Sequence, residues 1–113
     1  MVKVEAIVRH TRLEEVKDAL DAMGIHGMTV TAVRGAGRQR GQTHRYRGAE
    51  YTLALVDKVK IETVVPDDVA DAVVETIQRA AFTGEIGDGK IFVLPVLDVV
   101  RVRTGEKGDG ALG

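Results

Sequence analysis

Thr83-Gly84-Glu85-Ile86-Gly87-Asp88-Gly89-Lys90 separates a stretch with helical spacing from a stretch of strand formers, and the order of those neighbours decides the fold. By letter the segment has the phosphate-loop spacing: Gly84, four residues, Gly89, Lys90. A P-loop follows a strand, opens a helix and places Ser or Thr after its lysine. Here the helix comes first, the strand second, and Ile91 follows Lys90. A P-loop NTPase is therefore disfavoured. What remains is a glycine-rich turn whose bare backbone N–H groups can face an anion. Gly84 alone is most simply a helix C-cap. Gly87, Gly89 and Lys90 together form a candidate phosphate cradle.

Upstream of this loop, Val69, Val73, Ile77 and Ala80 make one helical stripe. Pro66 suits the helix start, and Asp67 and Asp68 suit its dipole. Before it, Val59, Ile61, Thr63 and Val65 alternate with Lys60 and Glu62, the period of a strand. Downstream, residues 91–96 form a strand that is apolar on both faces. Residues 98–103 can add a short strand carrying Arg101 and Arg103 on one face. These two could clamp phosphate, or simply protect a sheet edge with charge. Residues 104–113 are polar and Gly-rich, the composition of a frayed end.

The first half of the chain repeats this order. Val2, Val4, Ala6 and Val8 alternate with Lys3, Glu5, Ile7 and Arg9. Thr11 and Glu14 have capping-box spacing, and Leu13, Val16, Leu20 and Met23 follow on one helical face. Gly24 stops that helix, and residues 28–33 alternate as a second strand. From Gly35 to about Val56 no period is sustained. A loop this long in a compact domain is usually either functional or a mistaken assignment, and the clean reading of everything around it favours a functional loop. It carries Gly37-Arg38-Gln39-Arg40-Gly41, where guanidiniums suit phosphate and Gln39 could reach a metal or ligand. A solvated basic loop is the blander reading. Lys58, just before the third strand, is the same kind of weak signal.

The order βαβ, long loop, βαβ predicts an α+β fold of the split βαβ, ferredoxin-like type. Four antiparallel strands would carry two helices on one face. The other face, apolar along the fourth strand, would need a cover, and oligomerisation supplies one.

Composition bounds function from outside. The formal charge of −1 announces neither nucleic acid nor membrane. There is no cysteine, which removes thiolate metal sites and thiol catalysis. Residues 1–9 are too short and charged for a signal peptide, no apolar run approaches a membrane span, and a cytoplasmic protein is expected. His10, His26 and His44 lack metal-ligand spacing. No catalytic triad or carboxylate pair stands out. An ATP-using enzyme would need a base or second-substrate site that the sequence does not offer. An RNA-binding ferredoxin-like module would need stacking aromatics, and Phe92 is the only strand candidate.

Several segments together resemble the P-II nitrogen-regulatory signalling proteins. They are Tyr46-Arg47-Gly48-Ala49-Glu50-Tyr51, Thr83 with Gly87-Asp88-Gly89-Lys90-Ile91-Phe92-Val93, and Gly37-Arg38-Gln39 with Gly41. Residues 58–62, 65–68 and Arg101-x-Arg103-Thr104-Gly105-Glu106 agree as well, so the resemblance covers nearly the whole chain. It implies one domain over residues 1–113, assembled as a homotrimer. Residues 37–55 would be the T-loop between strands two and three, residues 83–90 the phosphate-cradling B-loop, and 101–113 a C-terminal segment. It implies ATP or ADP in the cleft between subunits, against Gly37, Arg38, Gly87, Asp88, Gly89, Lys90, Arg101 and Arg103. Thr29, Glu62 and Val64 would border the adenosine. With Mg-ATP, 2-oxoglutarate would bind at Gly37, Gln39, Arg40, Gly41, Lys58 and Gly87, with Gln39 on Mg²⁺. Arg47 and Tyr51 would contact partners, an ammonium channel or nitrogen-metabolism enzymes, and Tyr51 would be open to a nucleotidylyltransferase. The function implied is a non-enzymatic signal transducer. The chain departs from the usual pattern at Arg9-His10-Thr11-Arg12 (usually Lys-Pro-Phe-Lys), Arg40 (usually Lys), His44 (commonly Glu) and Ala49, which excludes serine phosphorylation there.

Overall fold

The computed structural model describes residues 1–37, 44–46, 49–51 and 54–113, with residues 37, 44–46, 49–51 and 54 described by backbone alone. The elements are β1 (Val2–Arg9), α1 (Leu13–Ala22), β2 (Thr29–Gly37), β3 (His44–Tyr46), β4 (Ala49–Tyr51), β5 (Ala54–Val65), α2 (Ala70–Ala81) and β6 (Gly89–Pro95). The main sheet has the order β2-β5-β1-β6, and each of its three pairings is antiparallel. Two βαβ halves interleave so that β1 and β5 lie at the centre. This is the ferredoxin-like arrangement, as the sequence order predicted.

Alternation in the central strands sorts their side chains between two faces. Val4, Ala6 and Val8 of β1 and Val59, Ile61 and Val65 of β5 point to the helices and are buried. Val16 and Leu20 of α1 and Val73 and Ile77 of α2 meet them, completing one aliphatic core. Burying each such side chain is worth about 1.5–3 kcal/mol. Thr63 shares this face, and its hydroxyl donates to the Gly27 carbonyl at 2.7 Å, tying down the turn before β2.

Helix α1 ends as Gly24 requires. Gly24 has φ 87°. Its N–H reaches the Asp21 carbonyl at 3.0 Å, and the Ile25 N–H reaches the Leu20 carbonyl at 2.9 Å. That pair of bonds is a Schellman motif. The helix start differs from expectation. Thr11 caps nothing: His10–Arg12 form a 3₁₀ turn, and Arg12 occupies the N-cap with no side-chain cap bond. The Leu13 N–H closes that turn on the His10 carbonyl, so the helix begins later than the T-x-x-E spacing implied. Helix α2 ends at Ala81 with Phe82 extended behind it, so Gly84 is not its cap.

Three further expectations are corrected. The stretch from Gly35 to Val56 is not one loop: β2 and β5 continue their ladder through Arg34↔Asp57, Gly35↔Val56, Ala36↔Leu55 and Gly37↔Ala54. Within it, His44↔Tyr51, Arg45↔Glu50 and Tyr46↔Ala49 pair as a hairpin. Among its described side chains Ala36, Leu55 and Asp57 are exposed, so no burial period marks this part of the ladder. Residues 98–103 form no strand, only an isolated bridge between Val100 and Lys107 around a turn. The terminal segment is not frayed. Gly108–Ala111 make a 3₁₀ turn, the Gly108 N–H bonds the Val99 carbonyl at 3.1 Å, and Arg101 Nη2 donates to the Gly113 carbonyl at 2.8 Å.

The helix-free face is not apolar at its centre. Lys3, Glu5, Lys60 and Glu62 stand there as four alternating charges. Exposed apolar surface concentrates on β6 and beyond it, at Phe92, Val93, Leu94, Leu97, Val100 and Val102.

Candidate functional site

The loop between α2 and β6 is built around one carboxylate. Asp88 Oδ2 accepts the Thr83 N–H at 2.8 Å and the Gly84 N–H at 2.9 Å. Asp88 Oδ1 accepts the Thr83 hydroxyl and Arg9 Nε, the latter at 3.1 Å. The Thr83 hydroxyl in turn accepts the Glu85 N–H at 3.2 Å. Hydrogen bonds from Thr83, through side chain and backbone, hold the Asp88 carboxyl well below the usual carboxylate range, against a smaller opposing effect of burial.

Glycine is obligatory at one corner. Gly89 has φ 105°, and a Cβ placed there would stand 1.8 Å from the Ile7 carbonyl oxygen. Gly84 and Gly87 also have positive φ, at 88° and 103°. The chain thus doubles back against β1 with no side chain on the glycines to shield its backbone. Lys90 follows at once and is exposed. A cleft of about 170 Å³ lies beside it, lined by Val8, Gln78, Ala81, Phe82, Asp88, Gly89, Lys90 and Ile91.

Lys58 proves to be part of this corner. It pairs with Arg9 across β1 and β5, is buried at 8% exposure, and donates its ammonium to the Gly87 carbonyl. Burial lowers its pKa from the ordinary lysine value, and the neighbouring Arg9 charge lowers it further, while Asp88 opposes the shift. Lys58, Gly87, Asp88, Gly89 and Lys90 are therefore together.

The other candidates lie elsewhere. Thr29 pairs with Glu62 across β2 and β5, and Val64 sits two residues further along the same face. Val64 and Gly113 line a second cavity of about 310 Å³ with residues 24–27. Arg101, bonded to Gly113 and to Glu106, belongs to that end. Six residues of β5 separate Lys58 from Val64, about 20 Å of strand. Within one chain Arg101 and the cradle are thus at opposite ends of the sheet. Arg103 is exposed in the turn next to Arg101. Gly37 closes the β2 ladder opposite Ala54. Arg38, Gln39, Arg40, Gly41 and Arg47 lie outside the described residues, as does the side chain of Tyr51. Among the described residues no group of three His, Cys, Asp or Glu could hold a metal ion, and no helix is long and apolar enough to cross a membrane.

Sequence reasoning missed Arg9 and Arg12 and gave Thr83 no task. Arg12 donates from Nε at 3.1 Å and from Nη2 at 2.7 Å to the Ala80 carbonyl, at the end of α2. The signal available was position alone: Arg9 ends the first strand directly opposite Lys58, and Arg12 ends the turn that follows.

An antiparallel sheet with two helices on one face and a braced glycine corner defines a ferredoxin-like protein. The family described as nitrogen regulatory protein P-II matches residues 1–106. The chain is 56% identical over 112 residues to "Nitrogen regulatory protein P-II" of Azospirillum brasilense, covering 99% of this chain and 100% of that protein. It is 61% identical over 112 residues to the protein of the same name from Microchaete diplosiphon, with the same coverage. The crystal structure of Arabidopsis thaliana PII bound to citrate superposes with a TM-score of 0.80 at 50% identity, covering 98% of this chain and 88% of that one. The chain belongs to the P-II nitrogen regulatory family, whose members are named as regulatory proteins.

Proposed function

We propose that the chain is a non-enzymatic, cytoplasmic signal transducer that binds ATP or ADP and, with Mg-ATP, 2-oxoglutarate. The observation that carries this reading is the corner at residues 83–90. Its glycine backbone is locked open by Asp88 and flanked by Lys58 and Lys90, which suits a polyphosphate. Gly87, Asp88, Gly89 and Lys90 are assigned to the phosphates, and Thr29, Glu62 and Val64 to the adenosine. The distance between Arg101 and the cradle within one chain supports a site shared between copies, with Arg101 and Arg103 supplied by a neighbour in a homotrimer. The exposed apolar strip on β6 supports the same assembly. Mg²⁺ would arrive with the triphosphate and meet Gln39. 2-Oxoglutarate would be held by Lys58, Gly87 and the 37–41 backbone. The citrate named for the Arabidopsis structure is a comparable polycarboxylate. Residues 37–55, as a T-loop presenting Arg47 and Tyr51, would regulate an ammonium channel or nitrogen-metabolism enzymes, reaching a membrane only through such a partner.

Isothermal titration tests the reading. ATP is expected to bind alone, and 2-oxoglutarate only when Mg-ATP is present. Lys90→Ala should weaken ATP by about 1.5–3 kcal/mol, the scale of a charge-assisted hydrogen bond. Unchanged ATP affinity in a folded Lys90→Ala protein would sink the cradle, and steady ADP release would favour an ATP-using enzyme instead.

A further inference from the structure

Two arginines from the end of β1 and the turn behind it reach the 83–89 loop from the far end of the sequence. Arg12 grips its entry, donating twice to the Ala80 carbonyl. Arg9 grips its exit, with Nε on Asp88 Oδ1 at 3.1 Å and Nη2 on the Ile86 carbonyl at 2.8 Å. An ionised carboxylate offers about four lone-pair sites. Those of Asp88 are occupied by the Thr83 N–H, the Thr83 hydroxyl, the Gly84 N–H and Arg9. Asp88 is thereby committed to the inside of the loop, and its charge is offset by Arg9 before any anion arrives.

We propose that Arg9 and Asp88 are positioning residues of the anion site, setting the path of the 84–89 backbone and leaving contact with phosphate to that backbone and Lys90. This rests on the nucleotide reading above and corrects one assignment in it, since Asp88 would act through the loop rather than on the ligand. The side chain at position 9 matters as well as its charge. A guanidinium forks across two acceptors, here Asp88 and Ile86, whereas an ammonium is a point charge. Arg9 also faces Lys58, whose ammonium holds the Gly87 carbonyl. The carbonyls of residues 86 and 87 are therefore drawn toward these two cations.

The test is a double-mutant cycle read in two ways. Arg9→Ala, Asp88→Asn, their combination and Arg9→Lys are made in the full chain, and thermal melts confirm folding. Hydrogen exchange at the Thr83 and Gly84 amides, without ligand, is expected to quicken by about tenfold in each single variant. ATP affinity should fall by about tenfold in each single variant and by little more in the double, because both residues act through one brace. Arg9→Lys should recover part of both readouts. Losses that multiply to about a hundredfold, or weakened ATP binding with unchanged amide exchange, would put Arg9 on the ligand itself and overturn the proposal. Wild-type protein that binds no ATP would remove the nucleotide reading and the ligand half of this inference with it. ATP binding that survives in all the variants would overturn this inference alone.

Discussion

The 83–89 loop and the ribbon formed by the outer parts of β2 and β5 leave the same end of the sheet, on either side of Lys58. They are held in opposite ways. The loop has almost no regular backbone pairing, yet side chains from residues 9, 12, 58, 83 and 88 fix its path. The ribbon keeps a regular ladder from Arg34↔Asp57 to Gly37↔Ala54, but its side chains lie open, with Leu55 at 67% exposure. An ion pair there, Arg34 Nε to Asp57 at 3.7 Å, joins two exposed groups. Irregular backbone can thus be tied by side-chain hydrogen bonds where a regular ladder beside it is not.

Gly89→Ala should break the comparison hardest. The added Cβ meets the Ile7 carbonyl and the residue is kept at φ 105°, so the start of β6 must shift. A loss of about 3–5 kcal/mol in urea unfolding is expected. An alanine variant of wild-type stability would show that the corner is soft after all.

Acid titration gives a smaller effect with a definite direction. The folded chain holds the Asp88 carboxyl below its ordinary value, so in acid the unfolded chain binds more protons. The brace's contribution is whole above the unfolded-state value of about 3.9. It fades as the pH drops from there toward the folded-state value. The stability gap between wild type and Asp88→Asn should therefore stay flat from pH 7 to about 5 and narrow below pH 4. A gap that does not change with pH would mean the carboxylate is not bonded as described.

The ribbon should yield the least. Asp57→Ala removes an exposed ion pair and is expected to cost under about 0.5 kcal/mol, with amide exchange quickened only near Arg34. A loss as large as that of the loop variants would show the ribbon to be anchored by something other than its ladder.

These contrasts also explain what could be read from the residues alone. The strands of the core showed because one face is buried, so Val4, Ala6 and Val8 alternate visibly with Lys3, Glu5 and Arg9, Ile7 being the one apolar exception. The Val16–Leu20 and Val73–Ile77 stripes showed for the same reason. The ribbon stayed hidden because Gly35 and Ala36 pair without burying a face. Gly87, Gly89 and Lys90 announced a cradle by composition, but its brace did not. Arg9 and Asp88 are 79 residues apart, and nothing local to either marks the other. Arg101 and Arg103 suggested a strand by alternation, yet the chain turns there instead.

The four charges on the helix-free face have one more consequence. Lys3, Glu5, Lys60 and Glu62 sum to zero, and each lysine approaches both glutamates, the closest pair being Lys60 and Glu62 at 3.3 Å. Such a checkerboard has no net monopole, and its field dies away over a few ångströms, well inside the ~8 Å screening length of physiological salt. These four charges steer nothing from afar. Selection happens at contact, where a surface must match the checkerboard in register or leave a buried charge without its opposite.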